Sequence, residues 1–398
     1  MNVIIQKFGG TSVSTKENRD KIIKKVKESI DDGYSPVVVV SAMGRSGSPY
    51  ATDTLLSLVN EKFIKENKLA ADLLMCCGEI ISSVVLSSDM DEDDIDAFPM
   101  TGGQAGLITN KNFSEASVIV TKEKEILDIL SKGKVPVVTG FQGMTEDGYF
   151  TTLGRGGSDT TAAILGAMLN AERIEIYTDV DGIMTADPRL VKDASVINSI
   201  SYEEVFQLAG KGAKVIHPKA VKYAKEANIP ILIKNTMNDT IGTLINSIGD
   251  REEDKPVTSI TNQNHRIQVT VNYEDNKYND NYKNVLEIIA ENKISLDLIN
   301  IFPNRQIFTI SNDLRDKVKE IFTKLNLKYT FIEDCSAIAL VGIGMTGTPG
   351  VMAKIFKSLN DSKIDVLQTA DSHMTIWCLV HTKDLEKAIN SLHKTFNL

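Results

Sequence analysis

The segment 151–163, TTLGRGGSDTTAA, sets one arginine among glycines and follows it with serine, aspartate and threonines at the start of an alanine-rich helix. Arg155 beside the free backbone N–H groups of a helix N-terminus makes a site for an anion, and its guanidinium fork fits a carboxylate at two points. Asp159 on the same turn favours an adjacent cation, so the pair suits a zwitterion such as the head of an amino acid. Helix capping alone would account for Ser158 or Asp159, but not for Arg155. The spacing of Gly154, Gly156 and Gly157 does not fit G-x-G-x-x-G, which argues against a dinucleotide site.

Other segments offer complementary groups. In KFGGTSV, Gly9 and Gly10 let the backbone approach a ligand, Thr11 and Ser12 add hydroxyls, and Lys7 can set an ammonium on phosphate oxygens. The lysine precedes the glycines, so this is not a Walker A loop. YTDVDGIMTADPR supplies Thr178, Asp179, Asp181, Asp187 and Arg189 after a strand, where open α/β sheets place ligands. A solvated loop built on Asp-Gly and Asp-Pro turns is the other reading. KGAKVIHPKA sets Lys211, Lys214 and Lys219 around His217. One of these lysines can meet developing phosphoryl charge, because positioning and electrostatics are most of what phosphoryl transfer needs. His217, before Pro218, reads as a packed helix-start histidine rather than a base. SAMGRSGSPYATDTLL offers Ser41 after a strand and Thr52 in the loop that follows. CCGEIISS puts Glu79 on an apolar helix face, either as a satisfied buried carboxylate or as the holder of a substrate ammonium.

Elements must position these groups. The chain has 398 residues, more than one core usually holds. Apolar runs at Val3–Phe8, Pro36–Ala42, Val135–Phe141, Ile174–Val180 and Ile229–Asn235 alternate with helical stretches. Strands apolar on both faces and separated by helices predict a mainly parallel sheet covered on two sides. Residues 246–258 lose periodicity and gather charge, as a linker does. Beyond them DLRDKVKEIFTKLNL, from Asp313, matches DLEKAINSLHKTFNL, from Asp384; QIFTIS matches TIWCLVH, and NKISLDLI matches SKIDVLQ. The repeat predicts paired ferredoxin-like modules. The expected division is a catalytic region 1–245, a linker and joining strand 246–264, and modules at 265–332 and 333–398.

Lys and Arg total 44 against 53 Asp and Glu, a net charge of −9, which argues against broad nucleic-acid or anionic-membrane binding. No membrane span is expected, and the chain is placed in the cytoplasm. Cys76, Cys77, Cys335 and Cys378 have no spacing that fits a zinc site or disulfide framework, so reduced thiols and no protein-held metal are expected.

Taken in order, KFGGTSV, VVVVSAMG, GEIIS, FQGM, TTLGRGGSDTTAA, YTDVDGI, TADPR and GAKVIHP resemble the aspartokinases of the amino acid kinase family over nearly the whole chain, with the repeats similar to the ACT modules those enzymes carry. The resemblance implies an amino-acid-kinase α/β sandwich followed by two ferredoxin-like ACT modules. It implies transfer of the γ-phosphoryl of ATP, carried with Mg2+, to the β-carboxylate of L-aspartate. Lys7, Asp159 and Lys214 would be catalytic. Arg155 would bind the aspartate α-carboxylate, Glu79 and Asp159 its ammonium, and Ser41 and Thr52 its β-carboxylate, with Ser158 beside them. Lys7, Phe8, Gly9, Gly10, Thr178, Asp179, Met184, Arg189 and Lys214 would line the nucleotide site; many relatives have tyrosine at the position of Met184.

Ser295, Leu296 and Asp297 match the stretch that contacts lysine in lysine-sensitive members, so lysine, with or without threonine, is the expected effector. The preceding loop, EDNKYNDNYKN, lacks the usual glycine, which GTPGV at Gly347–Val351 keeps. The resemblance further implies a homodimer or dimer of dimers through ACT modules, with the first module inserted in the second, so that the strand near residue 260 pairs with the last module. Kinases of glutamate, acetylglutamate or carbamate are the nearest alternatives, and a non-catalytic amino-acid sensor is another. Glu79 and the paired repeats favour aspartate, and the presence of both Lys7 and Arg155 favours catalysis.

Overall fold

The computed structural model describes residues 1–209, 215–249, 255–273, 284–343, 345 and 348–398. Their contacts define two compact units. Unit 1 takes residues 1–183, 196–209 and 215–249; unit 2 takes 184–195 and 255–398.

Unit 1 is built on an eight-stranded sheet of β1 (Val3–Phe8), β2 (Ser35–Val40), β3 (Ala97–Met100), β6 (Val135–Thr139), β9 (Arg173–Thr178), β10 (Ser199–Ser201), β11 (Ile231–Asn235) and β12 (Thr243–Asn246). The order is β10-β12-β11-β9-β1-β2-β6-β3, parallel except for the β11–β12 pair. The five apolar runs read from sequence are β1, β2, β6, β9 and β11. Side chains of β2 and β6 are buried on both faces almost throughout, while β11 alternates buried with half-buried positions. A four-stranded sheet, in the order β5-β4-β7-β8, joins β4 (Leu107–Thr109), β5 (Val118–Thr121), β7 (Gln142–Thr145) and β8 (Phe150–Thr152).

The helices of unit 1 are α1 (Lys16–Asp31), α2 (Thr52–Leu56), α3 (Glu61–Glu66), α4 (Lys68–Asp91), α5 (Lys124–Ser131), α6 (Gly157–Leu169), α7 (Tyr202–Ala209) and α8 (Pro218–Ala227). Strand alternation sorts the side chains of β1 between two helix layers. Phe8 packs with Val26 of α1 and Leu86 of α4. Ile5 faces Gly166 of α6 instead, and Lys7, two residues on, shares that face.

The 24-residue α4 is long and apolar enough by length and composition to cross a membrane. Its buried stripe nevertheless carries Asp72 and Glu79, and Asp72 accepts hydrogen bonds from the Ser114 and Thr152 N–H groups at 2.9 and 2.8 Å. These contacts place α4 in the core of unit 1.

Unit 2 holds one six-stranded sheet of β13 (Ser259–Asn272), β14 (Asp297–Phe302), β15 (Arg305–Ser311), β16 (Lys328–Val341), β17 (Gln368–Asp371) and β18 (Thr375–His381), with helices α9 (Val285–Glu291), α10 (Arg315–Lys324), α11 (Val351–Asp361) and α12 (Leu385–Thr395). The order β14-β15-β13-β16-β18-β17 is symmetric about the central pair. Both central strands are 14 residues long and serve both repeats. Asn272 to Arg266 of β13 pair with Lys328 to Cys335, while Gln263 to Ser259 pair with Ala337 to Val341. Register shifts separate the halves, and His265 and Asp334 there have φ of 58° and 54°. The strand near residue 260 thus pairs with the last module, as the resemblance implied.

Residues Met184–Ser195, expected within the catalytic region, pack in unit 2 instead. Ala186 and Val191 are buried in the same core as Ile338, Leu340, Ile389 and Leu392. Thr185 bonds to the Ile260 N–H at 2.8 Å through its carbonyl and to His393 Nε2 at 2.9 Å through its hydroxyl. The local sequence is a turn-rich loop with no periodicity, so only long-range packing decides where it belongs.

Candidate active site

Several parallel strands of unit 1 end on one polar cavity of about 340 Å3. Lys7 enters it from the end of β1, Ser41 follows β2, Thr52 opens α2, and Glu79 projects from α4. Arg155 lies in the turn before α6, with Ser158 and Asp159 in its first turn. Residues as far apart in sequence as Lys7 and Asp159 are thereby brought to one cavity. The volume is in the range of small-molecule sites.

The turn before α6 is shaped by Gly156 at φ 67°, where a Cβ would stand 2.2 Å from the His217 side chain. Gly156 is the N-cap residue and no side chain caps the helix, so neither Ser158 nor Asp159 serves in the capping role that sequence allowed. The helix N-terminus stays available to an anion. Asp159 Oδ1 lies 2.7 Å from Lys7 Nζ, both side chains being largely buried. Arg155 is exposed and has no ion-pair partner among the described residues.

Glu79 is 2% exposed. Its Oε1 accepts the Ala42 N–H at 3.1 Å, while Oε2 has no partner. Burial pushes its carboxyl up to about 8, against the lowering effect of the Ala42 hydrogen bond. A buried carboxylate oxygen without a donor is costly. An incoming ammonium group would satisfy it.

The glycine turn after β1 packs directly against the loop that follows β2. A Cβ on Gly10 would meet the Ala42 and Gly44 carbonyl oxygens at 2.6 and 2.7 Å. Thr178 and Asp179 stand at the end of β9, where the Thr178 hydroxyl donates to Asp179 Oδ1 at 3.2 Å. Phe8 does not offer its side chain. It is fully buried and stacks on Tyr177 with centroids 4.7 Å apart, so only its backbone is left for a ligand. Met184 and Arg189 belong to unit 2; the Met184 carbonyl accepts from Ser259, and Arg189 forks onto Asp187, holding that carboxyl below its usual range. Lys211 and Lys214 lie outside the described residues. His217 caps α8, its Nδ1 accepting the Lys219 N–H at 3.3 Å, and burial lowers its pKa, as suits a packed histidine.

Some groups at the cavity and at the neighbouring strand ends escaped sequence reasoning. Phe141 lines the cavity with φ 69°, a conformation rarely taken by a bulky residue. Asn235 donates to Asp181 Oδ1 at 2.7 Å, and the Thr236 and Ser12 hydroxyls are 2.6 Å apart. The rule that ligands gather at C-terminal strand ends would have found Asn235 and Thr236 at the end of β11. Arg45 pairs with Asp179 from the loop after β2. Among the described residues no cluster of His, Cys, Asp and Glu suits a metal ion.

In unit 2, Ser295 is exposed, Leu296 packs on the first-module core, and Asp297 Oδ2 pairs with Arg266 Nη2 at 2.7 Å. Residues 274–283, the expected effector loop, and Gly347 lie outside the described residues.

A parallel sheet ending on a lysine, a glycine turn and an amino-acid-sized polar cavity in unit 1, in a chain that also carries paired ferredoxin-like modules, suits a phosphotransferase of small acids. The amino acid kinase family model matches residues 2–235 and an ACT domain model matches residues 330–394. Over 403 residues, covering all of both chains, the sequence is 41% identical to aspartokinase 1 of Bacillus subtilis (strain 168). The chain belongs to the aspartokinases.

Solved structures share the fold. Aspartate kinase of Clostridium acetobutylicum matches with a TM-score of 0.81 at 24% identity, over 99% of this chain and 100% of that one. Aspartokinase III of E. coli matches over 100% of both chains at 24% identity, with a TM-score of 0.73 in its complex with aspartate and ADP and 0.78 in its complex with lysine and aspartate.

Proposed function

We infer that the protein is an ATP-dependent aspartate kinase, which moves the γ-phosphoryl group of MgATP onto the β-carboxylate of L-aspartate to give 4-phospho-L-aspartate. This is the first step toward lysine, threonine and methionine. The observation that carries the residue roles is the cavity that gathers the open Glu79 Oε2, the unpaired Arg155 and the Lys7–Asp159 pair.

Arg155 takes the α-carboxylate at two points, and Glu79 Oε2 accepts from the ammonium with Asp159 on the other side. Ser41 and Thr52 orient the β-carboxylate, beside Ser158 and the uncapped end of α6. That carboxylate is already a nucleophile and needs no base. Its oxygen forms a bond to the γ-phosphorus as the bond to the leaving ADP oxygen breaks. Lys7, held by Asp159, offsets charge on the transferring group, and Lys214 has the same role. Mg2+ arrives with the nucleotide and screens its phosphate oxygens. Gly9, Gly10 and the Phe8 backbone face the phosphates, while Thr178 and Asp179 line the rest of the nucleotide site.

Lysine, alone or with threonine, is the proposed effector at Ser295, Leu296 and Asp297. There its ammonium would compete with Arg266 for Asp297. Homodimers or dimers of dimers through ACT modules, in the cytoplasm, complete the reading. ATP-dependent hydroxamate formation with aspartate, glutamate and N-acetylglutamate tests it. Aspartate should be strongly preferred; equal turnover of either of the others would remove it as the substrate.

A further inference from the structure

The loop after β2, Gly44 to Ser48, is not absorbed by the aspartate cavity as a whole. The Gly44 N–H donates to the Gly10 carbonyl at 2.8 Å, so the loop lies directly on the glycine turn that follows β1. On the other side of β1, the Gly9 N–H donates to the Tyr177 carbonyl at 3.3 Å, one residue before the β9 end at Thr178. The strand order β9-β1-β2 sets the glycine turn between these neighbours. Arg45 Nη2 closes the span by bonding Asp179 Oδ2. The bridge therefore crosses the C-terminal end of β1, above the turn where phosphates approach.

We propose that Arg45 is a phosphate ligand of the kinase, which leaves Asp179 for the phosphate chain when the nucleotide settles over Gly9 and Gly10. The Arg45 and Asp179 side chains are 71% and 50% exposed, and such a pair contributes little and exchanges readily. A guanidinium fork on phosphate oxygens is charge-assisted and made at two points. Gly44 and Gly47, at φ 87° and 92°, flank Arg45 and give the loop positions that need no side-chain tolerance. A carboxylate at the phosphate site would repel the nucleotide if no cation attended it. Arg45 and Asp179 together balance the charge there and leave a cation in reach.

The proposal rests on the placement of the phosphates over the glycine turn given above. Calorimetric titration of the full-length Arg45→Met, Arg45→Lys and Lys7→Met variants with MgADP and with adenosine tests it, alongside steady-state kinetics. Arg45→Met should weaken MgADP about tenfold or more, change adenosine affinity less than twofold, and leave the aspartate KM within twofold, with Arg45→Lys recovering most of the loss. Equal weakening of MgADP and adenosine would make Arg45 a structural tie, and unchanged MgADP affinity would remove the phosphate contact. If Lys7→Met alone weakens MgADP, the phosphate placement stands and the Arg45 role falls. If neither variant does, the placement itself has failed and the proposal with it.

Discussion

Glu79 in unit 1 and Asp297 in unit 2 are carboxylates assigned the same task, holding the ammonium of an amino acid, yet the structure treats them oppositely. Glu79 is buried, keeps one oxygen without a donor, and is pushed up to about 8. Asp297 is half exposed and already paired with Arg266 at 2.7 Å. The first has a cost that a ligand removes; the second has a partner that a ligand must displace. Strong, obligatory substrate binding fits the first arrangement, and a modest, displaceable effector response fits the second.

The comparison is sharpened by substitutions on the substrate side. Lys7→Ala should lower kcat about a thousandfold, the scale of losing a preorganised charge at a transition state, while the aspartate KM changes within about threefold. A loss confined to KM would move Lys7 from the transferring group to the ground-state complex. Glu79→Gln should raise the aspartate KM by about 10–100-fold, the worth of one hydrogen bond to a charged group.

Glu79→Gln should also stabilise the ligand-free protein in alkaline solution. A carboxyl raised from 4.5 to about 8 by folding contributes stability below pH 4.5 that is lost as pH climbs to 8. The amide escapes that loss, so its Tm at pH 8 should exceed that of the wild type by ~2–4 °C, about 1 kcal/mol for a domain of this size. A lower Tm would mean that the charged carboxylate is well satisfied.

Asp297→Ala is the smallest change. Removing a part-exposed pair should cost about 1 kcal/mol or less and leave activity without effector unaltered, yet shift half-inhibition by lysine several-fold. Inhibition at unchanged lysine concentration would place the effector elsewhere in unit 2.

Much of this architecture was legible because the decisive patterns are local. The β-branched, largely apolar runs of β1, β2, β6, β9 and β11 announce a mainly parallel sheet, and the matched segments from 313 and 384 announce a repeat. The cavity residues were found by residue type, since arginine among glycines and a carboxylate within an apolar stripe need reasons. Short strands such as β4, β8 and β10, only three residues each, carry no periodicity to read. Nor does local pattern disclose that β13 and β16 each serve two modules, or that 184–195 belongs to the core of unit 2. Arg45 lay hidden in a glycine- and serine-rich loop because its partner, Asp179, is 134 residues away.

The central claim, that the open oxygen of Glu79 receives the substrate ammonium, is tested most directly by the pH dependence of kcat/KM for aspartate. Only the ionised carboxylate binds the cation, so kcat/KM should rise nearly tenfold per unit between pH 6 and 7.5 and level off near pH 8, and Glu79→Gln should abolish the rise. A wild-type profile flat across that range, or one unchanged in the glutamine variant, would contradict the account.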